Sequence, residues 1–285
     1  MIDARILARK ILEWIEEDAP FGDITTRLVI PRDARVRGEV VVKSEWGIAS
    51  CVEEIAAALN VLGIDARPVV GSGSRVSRGD VVMVLEGYAR DVLLVERTVL
   101  NLLMMLFGIA TATHAMVVEA RSVNPRVRIA ATRKTPPGLR ELVKLAVAHG
   151  GGDTHRFSLS DAIIIKDNHI AVVGSVRRAI ELARAGKSFI HRIEVEVSSA
   201  EQGLEAAEAG ADVVMLDNVS PQEVSRFVKM LELRGLRDRV LVEASGGIDL
   251  RNVREYAAAD PDVISSSFIT MRAPPIDMSL EVRRI

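Results

Sequence analysis

The chain has 285 residues, 48% hydrophobic and 27% charged, a globular mix that excludes a disordered or collagen-like polymer and leaves room for about two domains. Its 37 basic and 39 acidic side chains give a net charge of -2, so no global field draws it to nucleic acid or an anionic membrane, and any anion site must be local. A single cysteine, Cys51, excludes an internal disulfide and a thiolate metal cage, and a cytoplasmic address is expected. No uninterrupted apolar run approaches the ~18 residues of a membrane span, and the charged start lacks the apolar core of a signal peptide.

In chain order, Ile2, Ile6, Leu7, Ile11, Leu12 and Ile15 recur at the spacing of one helical face and predict a helix over 2–17. Pro20, Gly22 and Asp23 break it, and the Val-rich stretch 35–43 reads as a strand with partial alternation. A second helix is expected from 50 or 51 to 59. Gly71, Gly73 and Gly79 then punctuate a turn-rich region before a short strand at 81–85, and helical spacing resumes over 90–105. These pieces predict a unit of mixed helices with a small sheet.

Past about residue 108 the pattern becomes a regular alternation. Short β-branched runs at 127–131, 162–165, 193–197, 213–216, 240–242 and 263–264 are separated by helix-period stretches at 139–148, 176–185, 200–209, 221–233 and 250–258. Alternation of this kind builds right-handed βαβ units and a parallel sheet. A doubly wound sheet and a barrel both satisfy it; the strand ends favour the barrel. Arg133 and Lys134, Lys166, Glu196, Asp217, Glu243 with Ser245, and Ser265 to Ser267 end or follow successive runs. In a barrel those carboxyl ends converge on one mouth, whereas an open sheet gathers its site at one crevice.

Arg133, Lys134, Arg156 and Lys166, with His155 beside Arg156, would repel one another at such a mouth unless a ligand of high negative charge bound there. Guanidinium groups pair two-pronged with carboxylates and phosphates, so the ligand is expected to carry several such groups. Glu196 and Asp217 end neighbouring strands, and strand alternation puts Glu194 on the same side as Glu196. Facing a phosphate-rich ligand, Glu196 and Asp217 suit Mg²⁺, which binds through one or two carboxylates, waters and substrate oxygens; the alternative is an ion-pair network with the cations. Ser245, Gly246 and Gly247 after one late strand, and Ser265, Ser266 and Ser267 after the next, suit phosphate held by backbone N–H groups. The histidines show no HxH or HExxH spacing that would mark a metal site, and Cys51 in a helical segment reads as core.

The segment ATRKTPPGLRELVKLAVAHGGGDTHRFSLSDAIIIKDNHI, with EDAPFGDITT, ERTVLNLL, GIAT, EVEV, MLDN and EASGGI, resembles the quinolinate phosphoribosyltransferase family from about Glu17 to Leu280. The resemblance implies an N-terminal α/β sandwich domain over 1–107, joined by the C-terminal tail 275–285, and an open α/β barrel of the type II phosphoribosyltransferase kind over 108–274. It implies conversion of quinolinate and 5-phosphoribosyl-1-pyrophosphate to nicotinate mononucleotide, pyrophosphate and CO₂ in NAD biosynthesis, with Mg²⁺ as cofactor. It also implies homodimers with shared sites, further assembly being left open. By motif, Arg133, His155, Arg156 and Lys166 would line the quinolinate pocket, and Arg97 of ERTVLNLL would reach in from the partner subunit. Lys134, Glu196 and Asp217 would face the ribose, Mg²⁺ and pyrophosphate as the catalytic set, with Glu196 and Asp217 as metal ligands. Ser245, Gly246, Gly247, Ser265, Ser266 and Ser267 would hold the 5-phosphate.

This chain departs from the family pattern at three places. Thr154 stands where the family has Asn before the HR pair, and Phe107 where it has Ser before GIAT. Ser267, Thr270, Met271 and Arg272 occupy a late segment where the family runs from a Gly into THS, so Ser267 adds a side chain near the expected phosphate. Two other readings are open at this level. Lys166 at a strand end would suit a Schiff-base enzyme, because crowding cations favour a neutral lysine. A molybdenum-transport-associated family also resembles this one, which would allow a non-catalytic role.

Overall fold

The computed structural model describes residues 2–285 and divides into two compact units. The first gathers the chain up to residue 112 with 141–151 and 273–285; the second comprises 113–140 and 152–272. The chain opens with α1 (Ala4–Asp18), whose first turn is capped by Asp3, a carboxylate accepting from the Arg5 N–H at 2.8 Å. Its buried stripe is Leu7, Ala8, Ile11 and Ile15, whereas Ile6 and Leu12, expected on the same face, are exposed. There follow α2 (Ile24–Val29), β1 (Arg35–Val42), β2 (Trp46–Ile48), α3 (Val52–Val61), β3 (Asp65–Pro68), β4 (Arg75–Ser77) and β5 (Val81–Tyr88).

Next comes α4 (Ala89–Arg121), 33 residues long. The sequence predicts its end near 105, but the helix runs on to Arg121. Gly108 is what allows this: a Cβ there would lie 2.3 Å from the Pro274 carbonyl oxygen, so only glycine lets the returning tail lie against the helix. By length and composition alone α4 could cross a membrane; over half of that apolar window is buried, Leu100, Leu103, Leu106 and Phe107 among it.

The remaining elements alternate. They are β6 (Arg128–Ala130), α5 (Arg140–His149), β7 (Ile163–Ile165), α6 (Asp167–Val173), α7 (Val176–Gly186), β8 (Ile193–Val197), α8 (Ala200–Ala209), β9 (Val213–Asp217), α9 (Pro221–Leu233), β10 (Leu241–Ser245), α10 (Val253–Ala258), β11 (Val263–Ser265), α11 (Phe268–Met271) and β12 (Met278–Arg284). In the first unit an antiparallel sheet has the order β12-β1-β5-β3, with the last strand of the chain paired to the first, Val36 to Arg284 and Val42 to Met278. In the second, six parallel strands lie in the order β6-β11-β10-β9-β8-β7, leaving β6 and β7 as open edges. Residues 141–151, read from sequence as part of the barrel, group by contact with the first unit. Amphipathic spacing makes them a helix; it does not say which core receives the apolar face.

Candidate active site

Register fixes which side chains share the concave face. In parallel strands, paired residues point the same way, and the pairings Glu196 to Met215, Met215 to Glu243 and Glu243 to Val263 define one row across β8 to β11. One pleat further on, Asp217, Ser245 and Ser265 form the next row at the carboxyl ends. Ile164 pairs with Glu194, so Lys166, two residues beyond Ile164, comes beside Glu196, and its ammonium is ion-paired with that carboxylate. An ammonium held this way has no lone pair to attack a carbonyl, which weighs against the Schiff-base reading. His169 positions this lysine from the first turn of α6, its Nδ1 accepting from the Lys166 N–H at 2.9 Å.

Arg133 lies within electrostatic reach of Arg156. Burial first, and then the charge of Arg133, press the Arg156 pKa below the ordinary guanidinium value. Arg133 Nε is buried without a hydrogen-bond partner among the described residues, and Arg156 Nη1 donates to the Ala162 carbonyl at 3.0 Å. Arg156 is thus within electrostatic reach of Arg133 and of Glu196, the partner of Lys166. Lys134 follows directly; its N–H donates to Thr132 Oγ1, and its carbonyl accepts from Thr270 Oγ1 at 2.7 Å.

His155, expected by motif in the quinolinate pocket, turns its ring toward two buried glutamates. Its backbone sits at φ 52, left-handed for a residue with a Cβ, a conformation costing about 1–3 kcal/mol that clusters at functional sites. The ring is held at both nitrogens. Nδ1 accepts from the Arg156 N–H at 2.8 Å, so Nε2 carries the proton of the neutral imidazole, and Nε2 lies 3.2 Å from Glu243 and 3.4 Å from Glu194. Those two glutamates come from β10 and β8, alternate strands flanking β9, and converge over it as interior side chains of a barrel layer do. Burial, and then the charge of Glu243, push the Glu194 carboxyl up to about 8. His155, Glu194 and Glu243 offer three ligand atoms within 4.8 Å of one another. They do not form a metal site with this ring orientation, because a protonated Nε2 has no lone pair for a cation.

At the other side of the mouth, Asp217 accepts from the side-chain amide of Asn218 at 2.7 Å, and the Asn218 N–H donates to the Ser245 carbonyl at 2.9 Å. Gly246 and Gly247 follow with φ of 96 and 64, and their N–H groups donate to no acceptor among the described residues. A Cβ on Gly246 would fall 2.3 Å from Asn218 Oδ1, while one on Gly247 would meet nothing within 4 Å. Ser265 Oγ is buried and has no hydrogen-bond partner among the described residues. The Ser266 hydroxyl donates to the Ile248 carbonyl at 2.5 Å and accepts from the Phe268 N–H, which ties the loop together. Ser267 precedes the short α11 and makes no side-chain cap, and Arg272 stacks over the Phe268 ring at 5.8 Å.

Arg97 is exposed on the first unit's part of α4. A cavity of about 960 Å³ in the second unit lies at the amino ends of the strands, around Arg128, Asp212 and Asp262. Its five arginines are matched by five carboxylates, so it has no excess of either charge for an ionic ligand. In barrel enzymes the chemistry sits at the carboxyl ends.

Fold and site together define a barrel-type enzyme built to bind a polyanion at the carboxyl ends of its strands. "Quinolinate phosphoribosyl transferase, N-terminal domain" describes residues 23–107 and "Quinolinate phosphoribosyl transferase, C-terminal domain" residues 109–281. The chain is 49% identical over 273 residues to a probable nicotinate-nucleotide pyrophosphorylase [carboxylating] of Methanothermobacter thermautotrophicus, covering 96% of this chain and 98% of that one. It is 34% identical over 276 residues to the nicotinate-nucleotide pyrophosphorylase [carboxylating] of Rattus norvegicus, covering 97% and 91%. The crystal structure of NadC from Streptococcus pyogenes superposes with a TM-score of 0.90 at 33% identity, covering 100% of this chain and 99% of that one. The chain belongs to the quinolinate phosphoribosyltransferase family.

Proposed function

We propose that this enzyme transfers the phosphoribosyl group of 5-phosphoribosyl-1-pyrophosphate to the ring nitrogen of quinolinate and releases pyrophosphate, CO₂ and nicotinate mononucleotide. The observation that carries the reading is the Arg133 and Arg156 pair, mutually repelling and within reach of the Lys166–Glu196 pair, with an Arg133 Nε that is buried without a hydrogen-bond partner among the described residues. Quinolinate brings two adjacent carboxylates to these three cations. Incubating the protein with both substrates and Mg²⁺, and detecting nicotinate mononucleotide and CO₂, tests it; no product from folded protein refutes it.

In this reading the bond from ribose C1 to the pyrophosphate oxygen breaks as the pyridine nitrogen bonds to C1. Glu196 and Asp217 face the ribosyl carbon and offset its developing positive charge, while Lys134 attends the departing pyrophosphate. Both carboxylates lie on the concave face of adjacent strands, a donor set that fits Mg²⁺. When bound there, the ion would neutralise pyrophosphate charge. The Lys166–Glu196 pair must open for each partner to meet its substrate. The bond from C2 to its carboxylate then breaks; the cationic ring takes up the electron pair, and the resulting C2 carbanion gains a proton. Arg133, Arg156 and Lys166 act chiefly by orienting the carboxylates. The N–H groups of Gly246 and Gly247 and the Ser265 hydroxyl receive the 5-phosphate, with Ser245 and Ser267 at its rim.

Each site is completed by a second copy, whose Arg97 joins the quinolinate pocket. Supporting this homodimer are large apolar side chains exposed in both units, among them Phe21 and Leu28 in the first and Val172, Phe189 and Ile190 in the second. The single cysteine supports a cytoplasmic location.

A further inference from the structure

Glu194 and Glu243 are the part of the site that substrate binding leaves unexplained. Glu243 is 2% exposed and Glu194 6%, and each keeps one carboxylate oxygen buried without a hydrogen-bond partner among the described residues. Two carboxylates in one barrel layer repel each other and lose hydration; leucine or methionine would fill the same space at less cost. Placed beneath cations that must attract an anionic substrate, they also lower the field that the substrate meets. Neither folding nor anion attraction accounts for them. What they do share is His155 Nε2, at 3.2 and 3.4 Å.

That one contact fixes a chain of consequences. With its proton on Nε2 and aimed between the carboxylates, the ring leaves Nδ1 bare, and Nδ1 takes the N–H of Arg156. Asp153 takes the N–H of His155 at 2.8 Å, and between these two bonds the backbone is held at its left-handed φ. A residue in that conformation reverses the chain locally, so the imidazole points into the layer of buried carboxylates while the next side chain, Arg156, is set beside Arg133. We infer that Glu194 and Glu243 are positioning residues, which act through the His155 ring to hold Arg156 in its place in the quinolinate pocket. This rests on the proposed function for the pocket and adds two residues to its machinery.

The test uses the opposite signs that a positioning and a packing role predict. In Glu243→Leu and Glu194→Leu, removal of a buried charge leaves the thermal midpoint unchanged or raised, while the quinolinate KM rises about 10-fold or more, the scale of a small misplacement of a binding group. The phosphoribosyl pyrophosphate KM stays within about twofold. Glu243→Gln keeps an acceptor for the Nε2 proton, retains most of the quinolinate affinity, and serves where a leucine variant does not fold. In parallel, ¹⁵N NMR of the wild-type imidazoles, only five in the chain, reads the tautomer of His155 without substrate. A proton on Nε2 is the expected result and a proton on Nδ1 overturns the inference. So does an unchanged quinolinate KM in a folded leucine variant, or a fall in stability with both KM values rising in step. A wild-type protein that converts no quinolinate refutes the function instead, and the tautomer then judges the contact alone.

Discussion

Replacing Arg156 by alanine separates what the cation pair does for the ligand from what it does to the protein. Arg156 feels the repulsion of Arg133, and its guanidinium donates to the Ala162 carbonyl in a local loop. Removing the guanidinium therefore relieves repulsion and also loses the Ala162 hydrogen bond, worth about 1 kcal/mol, effects of opposite sign on the stability of the protein. Toward quinolinate there is no offset: a charge-assisted contact is worth about 1.5–3 kcal/mol, or roughly 10- to 150-fold in affinity. The same loss appears in ligand-induced stabilisation. At a quinolinate concentration 100 times the wild-type Kd, binding stabilises the fold by about 2.7 kcal/mol; the variant at that concentration retains about 0.3–1.4 kcal/mol. Calorimetric titration gives the affinity and thermal unfolding with and without quinolinate gives the linkage. Equal quinolinate affinity in folded Arg156→Ala and wild type refutes the assignment of this arginine to the pocket.

Three further outcomes are expected. Nicotinate, with one carboxylate, leaves part of the Arg133, Arg156 and Lys166 set unpaired in a buried site, so kcat/KM for quinolinate exceeds that for nicotinate by orders of magnitude; comparable values would show a different organisation. Gly246→Ala must resolve a 2.3 Å clash with Asn218 from a left-handed backbone, at about 2–5 kcal/mol from strain and overpacking together, and it displaces the partner of Asp217. Its melting temperature falls and its KM for phosphoribosyl pyrophosphate rises, whereas an unperturbed variant would mean the loop is free to shift. Arg97→Ala and Lys134→Ala are each inactive, but co-expressed they recover about a quarter of wild-type activity, since half of randomly formed dimers are mixed and each has one intact site. Mixed dimers verified by mass and still inactive would place Arg97 within its own subunit or outside the site.

The alternation of strands and helices after residue 108 was legible because each strand is short, β-branched and ended by a polar group. Arg133, Lys166, Glu196 and Asp217 each follow or close an apolar run, and a charged residue at such a place stands out from its neighbours. Pairing was less legible. That Lys166 meets Glu196 depends on Ile164 being in register with Glu194, which no local pattern encodes. His155 gave little signal of its own, but its partners did: Glu194 in IEVEV and Glu243 in LVEAS are charges inside strands otherwise buried, and a buried charge requires a partner somewhere. The end of α4 was misread at Gly108, where glycine usually weakens a helix. Here it admits the returning tail, a contact made by residues far along the chain.

The first unit is woven from three separated stretches of chain, and this shapes how the protein comes into being. β1 has β5 on one side early in synthesis, but its other edge waits for β12, made only after the second unit. Until then the Val-rich edge of β1 is unpaired, a template for strands of other molecules. The two units are accordingly not modules that an evolutionary fusion or a protease could separate at residue 107: a cut there divides a continuous helix and strands the first unit without α5 and β12. Contacts between such distant segments make a slow folder, one whose yield on refolding depends on dilution more than on the final stability of the fold.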